Sequence, residues 1–324
     1  MNTFIWTVFT SAFLLFQAQP IIAKFILPWF GGTPAVWTSC MLFFQVGLLV
    51  GYGYAHLLAT RVSLNRQPWV HLALVLVSIF TLPITPEQTH VATADQIPLL
   101  DILFLLTTTI GFPFIVLSAS APLLQYWFAN IHPNKSPFKL YALSNLGSLV
   151  ALLSYPFLVE PALALKTQTT IWSTIYLCYA GLTAWCAWPI LTKQRMGTIR
   201  KVHINGTAVT WPRRITWVAL AACGSTVLLA TTNQMSQDVA VIPFLWVLPL
   251  SLYLVTFIIC FGDDNISLAH QISIYTTAMF ACCMVCHGEM VRPARDQLSP
   301  QPAWRSAPTR GLFRPGGTFY RGWR

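Results

Sequence analysis

Residues 99–127 read LLDILFLLTTTIGFPFIVLSASAPLLQYW, a run that contains one charged side chain, Asp101. A helix of about 20 apolar residues crosses the hydrocarbon core of a bilayer, because it satisfies its own backbone polar groups there. A transmembrane β-barrel would instead show short segments of alternating hydrophobicity. This stretch therefore predicts a membrane-spanning helix.

The composition of the whole chain extends this pattern. Of the 324 residues, 55% are hydrophobic and 9% are charged, and the mean hydropathy is +0.60. An average soluble domain carries about 25% charged residues, so most of this chain has too few charges to form a water-facing surface. The composition excludes a soluble globular enzyme and a disordered protein for the bulk of the chain. We therefore predict an all-α fold, a polytopic bundle of transmembrane helices.

The same length rule predicts about nine spans along the chain. The alternative is a set of long amphipathic helices in a soluble protein, which would show polar faces that these segments lack. The third span is the shortest, and it ends at Pro83. The predicted spans are approximately 4–27, 36–59, 69–84, 99–127, 138–158, 169–191, 215–232, 240–262 and 270–290.

Basic residues in the short loops predict the orientation of the spans, because cytoplasmic loops carry an excess of Lys and Arg. The loops that follow odd-numbered spans have only Lys24 and Lys166 nearby. We therefore predict a multi-pass protein of the inner (plasma) membrane with its N-terminus in the cytoplasm. The basic residues that follow even-numbered spans are Arg61, Arg66, Lys135, Lys139, Lys193, Arg195, Arg200, Lys201, Arg213 and Arg214.

A long basic connection, residues 192–214, divides the chain. It separates a six-helix transmembrane unit, residues 1–191, from three further transmembrane helices, residues 215–291. Six helices, a cytoplasmic linker and a second helical set form the plan of major facilitator transporters. The sequence therefore predicts a major-facilitator-like six-helix unit followed by a partial second unit.

The last segment, residues 292–324, differs from the rest of the chain. It holds seven arginines against one acidic residue, Asp296, and thus more than half of the formal net charge of +10. Because more than half of the charge excess lies in this segment and not in the body of the chain, we predict no nucleic-acid partner. With five prolines and no apolar period, this Arg/Pro-rich tail is predicted to be either the aberrant end of a truncated membrane domain or a genuine disordered basic tail.

Polar side chains within the predicted spans are the candidate functional residues. Such groups are costly at membrane depth and usually face a bundle interior or a cavity. In one interpretation they line a cavity for a hydrogen-bonding or cationic solute. In the other they form interhelical hydrogen bonds, worth about 0.6 kcal/mol each. The candidates lie in the first, second and fifth spans and at the outer end of the fifth: Gln17, Gln19, Lys24, Gln45, Tyr52, His56, Tyr141, Ser144, Asn145, Ser148 and Glu160.

Two glycines of the second span, Gly47 and Gly51, are spaced as GxxxG. Small residues at this spacing let two helices approach closely. We therefore predict that they serve helix packing.

The stretch Cys283-Met-Val-Cys286-His287 has the formal CxxCH pattern of c-type haem attachment. It lies in an apolar predicted helix rather than in an accessible soluble segment, so haem attachment is the minor alternative. The sequence also has no Walker A loop, HExxH or GxSxG motif. We predict no catalytic residue, no metal site and no cofactor.

Several blocks of sequence in and beside these spans occur together in one known family. They are Gln19-Pro20 with Lys24, Gly31-Gly32-Thr33-Pro34-Ala35-Val36-Trp37, Gly51-Tyr52-Gly53-Tyr54-Ala55-His56, Ser118-Ala119-Ser120-Ala121-Pro122-Leu123-Leu124-Gln125, Leu140-Tyr141-Ala142-Leu143-Ser144-Asn145-Leu146-Gly147-Ser148, Glu160-Pro161 and Cys286-His287-Gly288-Glu289. With these blocks the chain resembles, over roughly residues 8–290, the membrane module of fused major facilitator superfamily/spermidine synthase-like proteins.

That family typically carries an aminopropyltransferase-like domain that binds a decarboxylated S-adenosylmethionine-type donor. This chain shows no glycine-rich strand–helix turn of the kind that holds a nucleoside. The resemblance therefore implies the membrane module without the catalytic domain, and we predict that the chain is not an enzyme.

Two functions follow as hypotheses from the resemblance and the polar residues. The first is a transporter-like domain in the lipid bilayer that binds or moves polyamines or similar small cationic metabolites. The second is a non-transporting anchor or scaffold for a separate spermidine synthase-like enzyme, an aminopropyltransferase. A truncated, non-functional fragment is the remaining alternative.

Overall fold

The computed structural model describes residues 2–31, 34–86, 98–133, 135–195, 210–238 and 247–262. The ninth predicted span, the Cys283–His287 motif and the basic tail lie outside these residues, as does most of the predicted linker.

Every regular element within the described ranges is helical, which confirms the all-α prediction. Two π-helical turns, Thr107–Gly111 and Tyr155–Val159, each join two α-helices. The helices are α1 Asn2–Phe30, α2 Pro34–Arg61, α3 Gln67–Ile79, α4 Pro98–Leu106, α5 Phe112–Ile131, α6 Phe138–Ser154, α7 Glu160–Ala162, α8 Leu165–Arg195, α9 Trp211–Asp238 and α10 Val247–Gly262.

Five helical segments in the described part of the chain are long and apolar enough to cross a membrane. They coincide with the first, second, fourth, fifth and sixth predicted spans, and they are consistent with a membrane-embedded protein. The third predicted span is the shorter apolar helix α3, which ends at Ile79, before Pro83. The five long segments are Asn2–Phe30, Val36–Arg61, Leu99–Ile131, Phe138–Ala162 and Leu165–Thr192.

Helix α1 lies in the middle of the first unit and packs against α5, α6 and α8. Its side chains Val8, Leu14 and Ala18 are fully buried. The indole Nε1 of Trp172 on α8 donates a hydrogen bond to the carbonyl oxygen of Leu14 over 2.9 Å. An indole buried in an apolar bundle needs such a partner, so this bond fixes α8 against α1.

Each π-helical turn lies beside a proline. Pro113 follows the first turn by two residues, and Pro156 lies within the second. Proline has no amide hydrogen and cannot continue the regular α-helical bonding pattern, and a π turn is one way for a long helix to accommodate the break. In α1, by contrast, Pro20 and Pro28 lie inside a continuous helix.

Two glycines mark places where neighbouring helices approach closely. A Cβ atom added to Gly51 on α2 would meet the hydroxyl of Ser118 and would lie 2.8 Å from the carbonyl oxygen of Ile115 on α5. A Cβ atom on Gly147 of α6 would lie 2.6 Å from the carbonyl oxygen of Phe9 on α1. At both positions only glycine lets the two backbones come this close.

Candidate functional site

A cavity of about 580 Å³ lies between helices from both sides of the predicted linker. Helices α1, α2, α5 and α6 supply residues from the first unit, and α9 and α10 supply residues from the second. Ligand pockets of a few hundred Å³ hold small organic molecules. The cavity is therefore large enough for a metabolite.

Four side-chain amides from four different helices line this cavity: Gln19, Gln45, Gln125 and Asn145. Each amide offers two donors and an acceptor. Within the described ranges, the amides of Gln19, Gln45 and Gln125 form no hydrogen bond with another residue. Their donors and acceptors are thus available to water or to a solute.

Helix periodicity explains why polar residues of α6 share the cavity. Tyr141, Ser144, Asn145 and Ser148 are spaced i, i+3, i+4 and i+7, which places them on one helix face. Two of them also bond within the helix: Asn145 Nδ2 donates to the Tyr141 carbonyl oxygen over 2.8 Å, and Ser148 Oγ donates to the Ser144 carbonyl oxygen over 3.1 Å. The helix thus directs a hydrogen-bonding stripe into the cavity.

Aromatic side chains form another part of the lining. Tyr52 of α2, Tyr141 of α6, and Tyr253 and Phe257 of α10 all line the cavity. The ring centroids of Tyr141 and Phe257 lie 5.8 Å apart at 61°, and those of Tyr253 and Phe257 lie 4.7 Å apart at 65°. Both pairs have the edge-to-face arrangement that aromatic rings prefer.

The described lining residues include no aspartate, glutamate, lysine, arginine or histidine. Their polar groups are amides and hydroxyls, which can donate and accept hydrogen bonds without carrying a net charge. Taken with the aromatic rings, this chemistry suits a solute that has hydrogen-bonding groups and either an apolar or a cationic part.

The structure brings seven of the eleven candidate residues together at the cavity. The other four lie elsewhere in the molecule. The seven lining residues are Gln19, Gln45, Tyr52, Tyr141, Ser144, Asn145 and Ser148.

Gln17 and His56 lie away from the cavity. Gln17 is buried, and its Nε2 donates to the carbonyl oxygen of Ala151 and to the hydroxyl of Ser154, each over 3.0 Å. Gln17 therefore joins α1 to α6 through interhelical hydrogen bonds, the second of the two roles considered for the polar residues of the spans. His56 is exposed on α2 and is not among the lining residues.

Lys24 and Glu160 form an ion pair with each other. The Lys24 Nζ atom lies 2.5 Å from Glu160 Oε1, and the two side chains are 36% and 25% exposed. The pair joins α1 to α7, at the end of α1 that lies towards Phe30 and outside the cavity lining. A partly exposed pair of this kind contributes modestly to stability.

Sequence reasoning missed several lining residues, among them Gln125, Tyr253 and Phe257. Gln125 had a usable signal, because it is a polar side chain inside the long apolar segment from which the fold was predicted. Tyr253 and Phe257 had none, since aromatic residues of an apolar helix are equally common in packed cores and at lipid-facing surfaces.

Within the described ranges, no group of three or more His, Cys, Asp or Glu side chains lies close enough together to hold a metal ion. Comparison of the chain with protein-family models, with curated proteins and with solved structures finds no match.

Proposed function

We propose that this chain is the membrane-embedded, solute-binding part of a transporter for small hydrogen-bonding solutes, with polyamines and similar small cationic metabolites as the first class to test. The observation that carries the proposal is the cavity of about 580 Å³ between the two helix sets. Many transporters bind their substrate at such an interface between two structural units, where rocking of one unit against the other opens the site to alternate sides.

The arrangement that we propose is major-facilitator-like. Residues 1–191 form a six-helix unit, and α9 and α10 begin a second unit after a cytoplasmic linker. A cytoplasmic N-terminus and an inner-membrane location belong to the same proposal. They are supported by the basic residues of the linker and of the short loops that follow even-numbered spans.

The amides in the cavity support a role in solute binding and not in interhelical hydrogen bonding. A side chain that joins two helices forms hydrogen bonds with its neighbours, as Gln17 does with Ala151 and Ser154. Gln19 and Gln45 have no such partner within the described residues. Gln19 is half-buried and Gln45 is exposed, so both amides can bond to water or to a solute that enters the cavity.

Uptake by reconstituted vesicles tests the proposal. We expect the full chain to accumulate labelled spermidine or putrescine, and we expect Gln45→Leu and Asn145→Leu each to reduce uptake about fivefold or more, because each removes a hydrogen bond to the solute. Background uptake in wild type and both variants would remove the transport proposal. It would leave the scaffold for a separate aminopropyltransferase as the function to pursue.

Asn130→Leu is the matched control. Asn130 Nδ2 donates to the Tyr126 carbonyl oxygen over 2.8 Å, the same local bond that Asn145 makes with Tyr141. Only Asn145 lines the cavity. Loss of uptake in Asn145→Leu with normal uptake in Asn130→Leu would therefore show that the position of Asn145 in the cavity matters, and not its hydrogen bond within the helix.

A further inference from the structure

Aromatic side chains from both units meet at the cavity. Tyr52 and Tyr141 come from the first unit, and Tyr253 and Phe257 come from α10 of the second. We call these four residues the aromatic wall. The ring centroid of Phe257 lies 5.8 Å from that of Tyr141 and 4.7 Å from that of Tyr253, so rings from both units are in contact, and Tyr52 lines the same cavity.

A cluster of this kind has one chemical property that amides and hydroxyls lack. The face of an aromatic ring carries partial negative charge, and it attracts a cation that lies within about 6 Å of the ring centroid. The attraction is strongest when the cation is weakly hydrated, as an alkylated ammonium group is, because little hydration is lost on binding. Several rings around one space act together on the same cation.

The rest of the lining favours this mode of cation binding over an ion pair. The described lining residues include no carboxylate that could neutralise a bound ammonium group. Glu160, the one acidic residue among the eleven candidates, is paired with Lys24 outside the cavity lining. For a cation in this cavity, the described residues thus offer ring faces and neutral acceptors.

We propose that the aromatic wall is a cation–π subsite for the alkylammonium group of the solute, and that the neighbouring amides hold the solute's uncharged polar groups. This inference rests on the proposed function only in treating the cavity as a binding site. It specifies the ligand class as an alkylammonium compound with a hydrogen-bonding group, of which choline is the simplest probe.

Binding of choline and its uncharged isostere, 3,3-dimethylbutan-1-ol, tests the proposal. The two molecules have nearly the same shape and the same hydroxyl group, and they differ in the charge of the quaternary centre. Titration calorimetry is done on the full chain in nanodiscs. We expect choline to bind at least about tenfold more tightly than the alcohol. Equal affinities, or no binding of choline, would overturn the subsite.

A matched pair of variants on α10 locates the subsite. Phe257 and Phe261 lie one turn apart, and their ring centroids lie 5.8 Å and 4.8 Å from that of Tyr141. Only Phe257 lines the cavity. We expect Phe257→Leu to weaken choline binding about tenfold and Phe261→Leu to change it less than about twofold. Equal effects of the two variants would contradict the assignment.

Tyr52 provides a second pair, which keeps the test valid should the α10 variants fail to fold. Tyr52 is 53% exposed, so its truncation leaves no hole in a packed core. Tyr52→Phe keeps the ring and should retain choline binding, whereas Tyr52→Leu should weaken it; unchanged binding in Tyr52→Leu would count against the subsite.

The two proposals fail separately: spermidine uptake without choline binding removes the subsite alone, and choline binding without uptake removes transport alone.

Discussion

Gln17 and Gln19 stand two positions apart on α1, yet they belong to regions of opposite character. Gln17 lies in the contact between α1 and α6, where it is buried and makes two hydrogen bonds across the interface. Gln19 lines the cavity and has no hydrogen-bond partner among the described residues. Two residues along a helix correspond to a turn of about 200°, so the same helix serves a packed interface on one face and an open site on the other.

The surroundings of α1 differ in the same way along its length. At the α1–α6 contact the backbones approach so closely that a Cβ atom on Gly147 would lie 2.6 Å from the Phe9 carbonyl oxygen and 3.4 Å from the Ala12 Cβ atom. Other residues of the same two helices, among them Gln19 and Asn145, face about 580 Å³ of space. A polar residue in a membrane bundle therefore acts according to what faces it: a close partner makes it structural, and a cavity leaves it available.

Gly147→Ala is the substitution that we expect to disrupt the contact between α1 and α6 most strongly. The added methyl group meets a backbone oxygen, which cannot move without shifting α1, so we expect the free energy of unfolding to fall by about 1–3 kcal/mol. Gly53→Ala is the control, because nothing lies within 4 Å of a Cβ atom at that position. Alanine favours a helix over glycine by about 0.5–1 kcal/mol, so Gly53→Ala should keep or raise stability.

Thermal unfolding in detergent measures both variants. A melting temperature for Gly147→Ala equal to that of wild type would show that α1 and α6 are not in close contact. A similar loss of stability in Gly53→Ala would show that any added methyl group on these helices is destabilising. The loss in Gly147→Ala could then not be assigned to a close contact between α1 and α6.

Substitution of the two glutamines should have smaller effects on stability, and these effects should differ between Gln17 and Gln19. Gln17→Leu removes two interhelical hydrogen bonds of about 0.6 kcal/mol each, so we expect a loss of about 1 kcal/mol in unfolding free energy. Gln19→Leu removes no hydrogen bond among the described residues, and we expect unchanged stability but reduced solute uptake. Equal stability losses in the two variants would mean that both glutamines are structural.

Helix positions were the most predictable part of the fold, because the length of an apolar run directly reflects the thickness of the hydrocarbon core. The predicted span 4–27 is the helix Asn2–Phe30, and 36–59 is Pro34–Arg61. The observed helices are longer at both ends, since helical hydrogen bonding continues beyond the apolar run that defines a span. The number of nine spans stays a prediction, because five helices of the described part of the chain are long and apolar enough to cross a membrane and the ninth predicted span lies outside that part.

The candidate site was predictable in kind but not in detail. The cost of polar groups at membrane depth singled out three glutamines and an asparagine, and three of these four residues line the cavity. It did not separate Gln17 from Gln19, because that choice depends on the distance to a neighbouring helix, which no pattern within one helix contains. The ion pair of Lys24 with Glu160 was missed for the same reason: its partners are far apart in the sequence and meet only through packing.

Labelling of neighbouring positions on α2 tests most directly the central claim, that a water-accessible cavity opens inside a membrane-embedded bundle. Gln45 lines the cavity, whereas Val46, next to it at the same depth, is 49% exposed and does not. In a chain whose native cysteines are replaced, Gln45→Cys and Val46→Cys are treated in vesicles with a charged, membrane-impermeant thiol reagent. Such a reagent needs a thiolate in contact with water. The account predicts that Gln45→Cys is labelled and Val46→Cys is not; equal labelling at the two positions, or labelling of Val46→Cys alone, would contradict it.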